Sequence, residues 1–457
     1  MRRHKTWCRA AAAAALLGLT IVTAMAEAQA PTEATPSVWR LEDLERVALQ
    51  NNPTVGQADA LIRSVQGRRL QAGYYPNPLI GVSADDIKAR EPSRSKYFFW
   101  VQQTIITGDK RRVLLDAVRQ EQRHAEGEQE IQRQRVLNAV RVAFYETLGL
   151  TRMVELRREL ARIAGEAVGI SEDLFNIGQA DRPDVLEVEI EAQRAGLDVS
   201  RAEDDLARAW QALAAMVGDP GLPRRPLVGD LEAELPRVDV EAIRTQLLRD
   251  SPELKVARAR VERGRAALAR ARADRIPNFF VRGGLGYNFE QLNGNGNGSG
   301  GGNVGVEAFF ELGIPLPIFD RNQGNIKSAE AALTIVEKEM RRVQLDLTTR
   351  LAEAQRNYQD AYRTAETYPR EVILRAQRAY QLFLERFRQM AASYPQVLIA
   401  QRTLSQARVE YIRSLIDVWQ SATILQGQLV MGGLEAPKEI PGEPAIQPEL
   451  VPFTVTP

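Results

Sequence analysis

Between residues 303 and 347 the spacing of apolar side chains changes period. From residue 303 to 312 they fall at every second position, at Val304, Val306, Ala308, Phe310 and Leu312. That alternation predicts a strand with one apolar face. From Ile326 onward they settle into steps of three and four, which is a helix face. Between the two, Pro315 and Pro317 have no N–H for a sheet, and each holds the residue before it extended. The pattern predicts that the chain leaves a sheet across residues 311–324 and enters a helix at Gly324 without a loop.

The rest of the chain sorts by the same rule. Residues 41–51 predict a short helix, Pro53 opens a second to about residue 73, and residues 74–78 break it. Strands follow at about 79–84 and 97–106, with the polar run 88–96 between them. Gly108 and Asp109 open a proline-free helix to about residue 170, on the order of 90 Å long. Within it Leu160, Ile163, Ala167, Ile170 and Leu174 repeat as a coiled-coil seam. Residues 176–183 reverse the chain, and Pro183 suits the first turn of a return helix through Val185, Leu186, Ala192 and Leu206 to Trp210 and Gly218. Pro220, Pro223, Pro226 and Pro236 mark residues 219–239 as a linker.

Then the pattern starts again. Asp250-Ser251-Pro252 answers Asn51-Asn52-Pro53, and Ile276-Pro277-Asn278 answers Tyr75-Pro76-Asn77. Residues 279–290 alternate, a Gly/Asn tract follows, and a strand at 303–312 leads to a second long helix. Its seam is Leu347, Leu351, Ala354, Tyr358 and Ala361, and Pro369 is expected to kink it midway. A second reversal spans residues 389–395, and Trp419 and Gly427 repeat Trp210 and Gly218 at the same spacing. The chain thus reads as a tandem duplication, residues 31–218 and 240–432, with helical hairpins at about 109–218 and 324–432. A Pro-rich tail, 433–457, is expected to be disordered.

Composition narrows the chemistry. Arg2, Arg3, Lys5 and Arg9 precede an apolar run from residue 10 to 25 and small-residue cleavage sites, so residues 1–30 are expected to be a secretory signal peptide. Cys8, the single cysteine, goes with it, and the net charge moves from +1 to −2. No disulfide, thiolate metal site, cofactor or basic footprint for nucleic acid is expected in the mature chain. His124 lies in a polar helix stretch and is expected to be exposed, as are the charges of residues 119–135. The tract 294–302 lacks the Lys-Ser/Thr of a phosphate loop and reads as a loop between strands. Arg282 and Glu290 read as wetted by a lumen, and residues 97–100 as an interfacial aromatic girdle. No nucleophile motif or metal-ligand spacing marks an enzyme.

An exported chain without an apolar helix of about 18 residues can still enter a membrane as a closed β-barrel. Four strands per chain cannot close one. Three copies give twelve strands and twelve helical segments, so the expected fold is mixed and mainly α. It is a homotrimeric 12-strand β-barrel running into a 12-helix coiled-coil periplasmic tube. At this point the sequence resembles the TolC-like outer-membrane factors over residues 41–430. Residues 313–324 and Thr107-Gly108-Asp109-Lys110-Arg111 resemble most the CzcC-type branch, which serves heavy-metal cation pumps.

The resemblance implies a homotrimeric passive exit duct in the outer membrane of a Gram-negative bacterium. It would touch outer-membrane lipid and dock tip to tip on a periplasmic adaptor bound to an inner-membrane resistance-nodulation-division pump. The tips correspond to Phe175, Gly178 and Pro183 in the first half and to Phe387, Tyr394 and Pro395 in the second. TolC carries two acids three residues apart at the start of its last long helix. The matching positions here are Gln396 and Ile399, while Asp184 and Glu187, with Asp181, occupy the equivalent place in the first half. These acids are the candidates for a cation-favouring periplasmic gate. Capping of a helix N-terminus is the bland alternative. Gly108, Pro315, Pro317 and Gly324 would mark the junctions between strand and helix. Drug efflux or type I secretion is the alternative cargo, and a soluble periplasmic adaptor the alternative class.

Overall fold

A computed structural model describes residues 38–85, 96–288, 305–389, 391 and 394–438. The expected signal peptide, residues 86–95 and 289–304, the latter with Glu290 and the Gly/Asn tract expected to be a loop, and the tail beyond 438 lie outside the described residues. The elements run α1 (Leu41–Asn51), α2 (Pro53–Ala72), β1 (Leu79–Asp85), β2 (Lys96–Ile105), α3 (Lys110–Asn176) and α4 (Arg182–Val217). The same order follows as α5 (Val240–Asp250), α6 (Pro252–Ala273), β3 (Phe279–Asn288), β4 (Gly305–Gly313), α7 (Gln323–Thr367), α8 (Ile373–Arg388) and α9 (Tyr394–Gln426).

Capping sets several boundaries. Asn52 accepts the Thr54 N–H at 3.0 Å and Ser251 the Leu254 N–H at 3.1 Å, each just before a proline that begins the next helix. Both long helices start after a left-handed residue, Asp109 at φ 55 and Asn322 at φ 59. α3 has 67 residues, hence a length of about 100 Å. Pro369 sits inside a five-residue π-helical turn, Tyr368–Val372, that joins α7 to α8. The missing N–H is absorbed there by a register change within a continuing helix.

The four strands form one antiparallel sheet in the order β1-β2-β3-β4, with β1 and β4 at the open edges. One face is apolar across its whole width and exposed: Ile80, Val82, Tyr97, Phe99, Val101, Leu285, Tyr287, Val306, Phe310 and Leu312. The other face carries Phe98, Trp100, Gln102 and Phe280, all buried, with Arg282 and Glu311. On this second face the aromatic rings lie across glycines of the neighbouring strand. A Cβ at Gly81 would overlap Trp100, its register partner, and one at Gly286 would overlap Phe98. The same holds for Gly284 with Phe309 and Gly313 with Phe280. Glycine here lets large rings lie flat against the sheet.

The main core lies around the midpoint of α3. Val136, Val140, Phe144 and Leu148 pack there with Leu44, Leu213, Val217, Leu347, Leu351, Tyr358, Leu415 and Leu425 from other helices. Residues 219–239 cross this core and are tied down by indoles. Trp39 donates to Pro223 O at 3.0 Å, Trp210 to Leu222 O at 3.4 Å and Trp419 to Leu231 O at 3.0 Å. Tyr358 donates to Pro236 O at 2.8 Å.

Five expectations need correction. Strand does not pass directly to helix at residues 311–324, because residues 314–322 form an irregular, bent connection before α7. The α7 seam holds from Leu347 to Ala361, but the α3 seam fails at Ile170, which is 56% exposed. Ala164 and Ser171 are buried instead, because α3 packs on both α4 and α9 and the two contacts displace the stripe. Leu186 is likewise exposed, beside buried Val185. Residues 97–100 do not form one girdle: strand alternation sends Tyr97 and Phe99 to the apolar face and Phe98 and Trp100 to the other.

His124, finally, is only 3% exposed, because α2 and α6 both cover that side of α3. Glu121, Glu128 and Gln132 are buried with it, so residues 119–135 are not a solvated face throughout. Arg68 donates to Glu121 at 3.2 Å, and Arg260 donates to Glu128 at 2.8 Å and to His124 Nε2 at 3.0 Å. Burial raises the Glu128 pKa. His124, whose Nε2 lies 3.4 Å from the carboxylate, and the charge of Arg260 outweigh it and hold the carboxyl below its ordinary value. A carboxylate with a depressed folded pKa adds stability that is complete above its unfolded pKa, near 4.3, and disappears as pH falls through the folded value. Glu128→Gln is expected to cost about 2 kcal/mol at neutral pH by stripping Arg260 of its partner. It should also flatten the acid limb of a thermal-melt series in detergent. An unchanged acid limb would assign that limb to other carboxylates.

Candidate functional site

The first helical tip joins α3 to α4. Gly178 takes the left-handed turn at φ 76, with Phe175 and Ile177 exposed around it. Asp181 caps α4, and Pro183 sits in its first turn. The half-buried Asp184 carboxylate accepts the Asp181 N–H at 3.4 Å, so one of the gate candidates also caps its own helix. Glu187 is exposed and has no ion-pair partner among the described residues. The three acids therefore share one helix end, Asp181 and Glu187 facing water.

The second tip joins α8 to α9, and residues 390, 392 and 393 of its turn lie outside the described residues. Phe387 and Pro395 are half-buried, Gln396 and Ile399 are exposed, and Tyr394 begins α9. No acid stands at either Gln396 or Ile399, so the described carboxylates at the start of a return helix are those of the first tip.

Just inside the tips a groove of about 400 Å³ runs between the α3–α4 hairpin and α9. Leu160, Ala164, Val188 and Leu398 form its floor, and charged pairs its walls. Arg157 pairs with Asp198 at 2.7 Å, and Arg402 bridges from α9 to Glu191 of α4. Glu410 of α9, which also lines the groove, accepts from the π-turn residue Tyr368. Sequence reasoning missed these residues. Their partners lie 41 to 211 positions apart, so no local spacing announces them.

At the far end, Arg282 stands on the second face of the sheet with its charge fully engaged. It donates to Gln102 at 2.6 and 2.9 Å and to Glu311 at 3.1 Å, and lies over the Trp100 and Phe280 rings. Gly108, φ 66, and Gly324 mark the starts of the long helices, and Pro315 and Pro317 lie in the exposed connection. Among the described residues, no group of three or more His, Cys, Asp or Glu could hold a metal ion. No described helix is long and apolar enough to cross a membrane.

Comparison with known proteins places this geometry. Residues 44–219 and 243–426 match the family described as outer membrane efflux protein. The cobalt-zinc-cadmium resistance protein CzcC of Cupriavidus metallidurans is 26% identical over 386 residues, covering 84% of this chain and 88% of CzcC. A membrane protein from Pseudomonas aeruginosa shares the fold with a TM-score of 0.71 at 20% identity, over 86% of this chain and 90% of the other. The outer membrane protein VceC of Vibrio cholerae does so at 0.68 and 20%, over 86% and 97%. The resemblance read from residues 107–111 and 313–324 is borne out. With both halves matched and the fold shared along nearly their whole length, the chain belongs to the outer membrane efflux protein family, TolC-like channels that transport rather than catalyse.

Proposed function

We propose that this protein is the exit duct of a tripartite efflux system. Three copies would close a 12-strand barrel in the outer membrane and continue as a helical tube into the periplasm. The observation that carries the reading is the sheet: one face apolar on all four strands and exposed, the other polar and aromatic, and both edges open. Four strands of this kind cannot bury their edge N–H and C=O groups in lipid, whereas a ring of copies can. The helices leaving the sheet reach about 100 Å, enough to carry the wall far into the periplasm. A periplasmic adaptor and a resistance-nodulation-division pump would supply cargo at the tips. Likeness to CzcC points to heavy-metal cations.

In this reading the cargo is passed on and never held, and the acids of the first tip give the entrance its preference. Three copies of Asp181, Asp184 and Glu187 would place a ring of carboxylates where cations arrive. Asp184→Asn with Glu187→Gln removes charge and keeps an acceptor for the cap. Single-channel recording in planar bilayers is expected to show a reduced preference for cations over anions. Selectivity equal to the parent protein would leave these acids as helix caps only.

The cargo is tested in cells. A strain lacking this gene is expected to lose tolerance to cobalt, zinc or cadmium on graded plates and to regain it from a plasmid copy. Unchanged metal tolerance with new sensitivity to dyes or detergents would instead assign the duct to drug efflux. Affinity capture of the tagged protein is expected to bring down an adaptor and its pump.

A further inference from the structure

Inside the chain, the segment leaving β2 is seated on the segment leading into β3. Thr107 N–H donates to Asn278 Oδ1 at 3.3 Å, and Lys110 Nζ donates to the same oxygen at 2.9 Å. Gly108 lies so close to Ile276 that a Cβ would meet its side chain at 2.9 Å. Ile276-Pro277-Asn278 is thus a seat for the chain as it turns from strand to helix.

The segment leaving β4 ends in the same way, at a left-handed residue directly before a long helix. It is longer: nine positions separate Gly313 from Asn322, whereas four separate Ile105 from Asp109. The added length carries Ile314, Leu316, Ile318 and Phe319, all exposed, Phe319 to 91%. This strap is nevertheless fixed. Ile318 N–H donates to Leu316 O at 2.9 Å, Asn322 N–H to Asp320 at 2.8 Å, and Asn322 Nδ2 to Ala271 O of α6 at 2.7 Å. Two prolines stiffen it further. Its backbone is ordered while its apolar side chains are uncovered, which is a surface organised before anything binds it.

The segment leading into β1 is the other half of the pattern. Tyr75-Pro76-Asn77 corresponds to Ile276-Pro277-Asn278, yet Tyr74 and Tyr75 are 60% and 65% exposed. The Asn77 side chain is exposed and has no partner among the described residues, whereas Asn278 is buried and used twice. β4 and β1 are the two open edges, and β4 runs antiparallel to β1. A second copy added by its β1 to this β4 therefore sets the segment before its Leu79 beside the strap after Gly313.

We propose that residues 314–322 are an inter-subunit clasp. The strap seats Leu316, Ile318 and Phe319 on Tyr74 and Tyr75 of a neighbouring copy, and Asn77 there accepts a strap N–H as Asn278 accepts that of Thr107. The clasp rests on the reading of the protein as a closed ring of copies, so its test separates the two. The full chain is expressed in outer membranes in a Cys8→Ser background, which has no other cysteine. Ile80→Cys with Leu312→Cys, both on the exposed apolar face, reports edge pairing through a bifunctional maleimide. Phe319→Cys with Tyr74→Cys or with Tyr75→Cys reports the clasp.

Both sets are expected to give dimer and trimer bands that the single cysteines do not. Cross-linking of the edge pair with neither clasp pair overturns the clasp and leaves the ring standing. Failure of all pairs overturns the ring and the clasp with it. Leu316→Ser with Ile318→Ser is expected to shorten the half-life of the oligomer in detergent about tenfold, and an unchanged half-life counts against the clasp. Phe319→Trp adds the lipid alternative: brominated phospholipid should leave its added fluorescence intact, and quenching would hand the strap to the membrane instead.

Discussion

A backbone amide in hydrocarbon has no water to turn to, and this constraint governs the molecule. In the proposed setting the sheet offers lipid an apolar face from Ile80 on β1 to Phe310 on β4, and among the described strands β1 and β4 each pair on one side only. Each backbone N–H or C=O left unsatisfied in lipid costs several kilocalories per mole. In the proposed duct the fold is finished by further copies of itself. In that light the glycines of the second face have a plain role. They let Phe98, Trp100, Phe280 and Phe309 lie flat, so the inner surface is covered by rings without being filled by them.

Below the sheet the problem is different. α3, of 67 residues, and α7, of 45, are far too long to be stabilised along their whole length by one core. The ion pairs along them are mostly exposed, at about 0–1 kcal/mol each, and cannot carry the structure. Stability concentrates where several helices meet near the midpoint of α3. The Pro-rich segment 219–239 belongs to that region. Three indoles and a tyrosine hydroxyl take its carbonyls, and Leu222 and Leu231 are buried beneath them. A stretch whose composition reads as a tether is in fact a strap around the waist.

Periodicity made the strands and long helices readable, because each is longer than its ends are uncertain. What it misread has a common cause. His124 and Glu121 look solvated along one helix, and only the arrival of α2 and α6 from distant sequence buries them. Ile170 fits a two-helix seam, but α3 serves two neighbours and the stripe shifts to Ala164 and Ser171. The split of residues 97–100 between two faces was already implied by strand alternation and was obscured by reading four aromatics as one cluster. At the tips, prolines and glycines located the turns and hence the acids. The groove wall of Arg157, Asp198, Glu191 and Arg402 left no local trace, being assembled from three helices.

The two ends of the molecule divide the electrostatics unequally. Arg282 faces the inner side of the sheet, yet Gln102, Glu311 and two aromatic rings take up its guanidinium. A charge compensated at about 3 Å projects little field beyond a Debye length of about 8 Å, so Arg282 itself adds little to the field of that face. At the first tip the balance is the reverse, with Asp181 and Glu187 exposed and uncompensated by any described ion pair. In the proposed duct, a preference for cations would be set by the acids of the first tip, about 100 Å from the sheet.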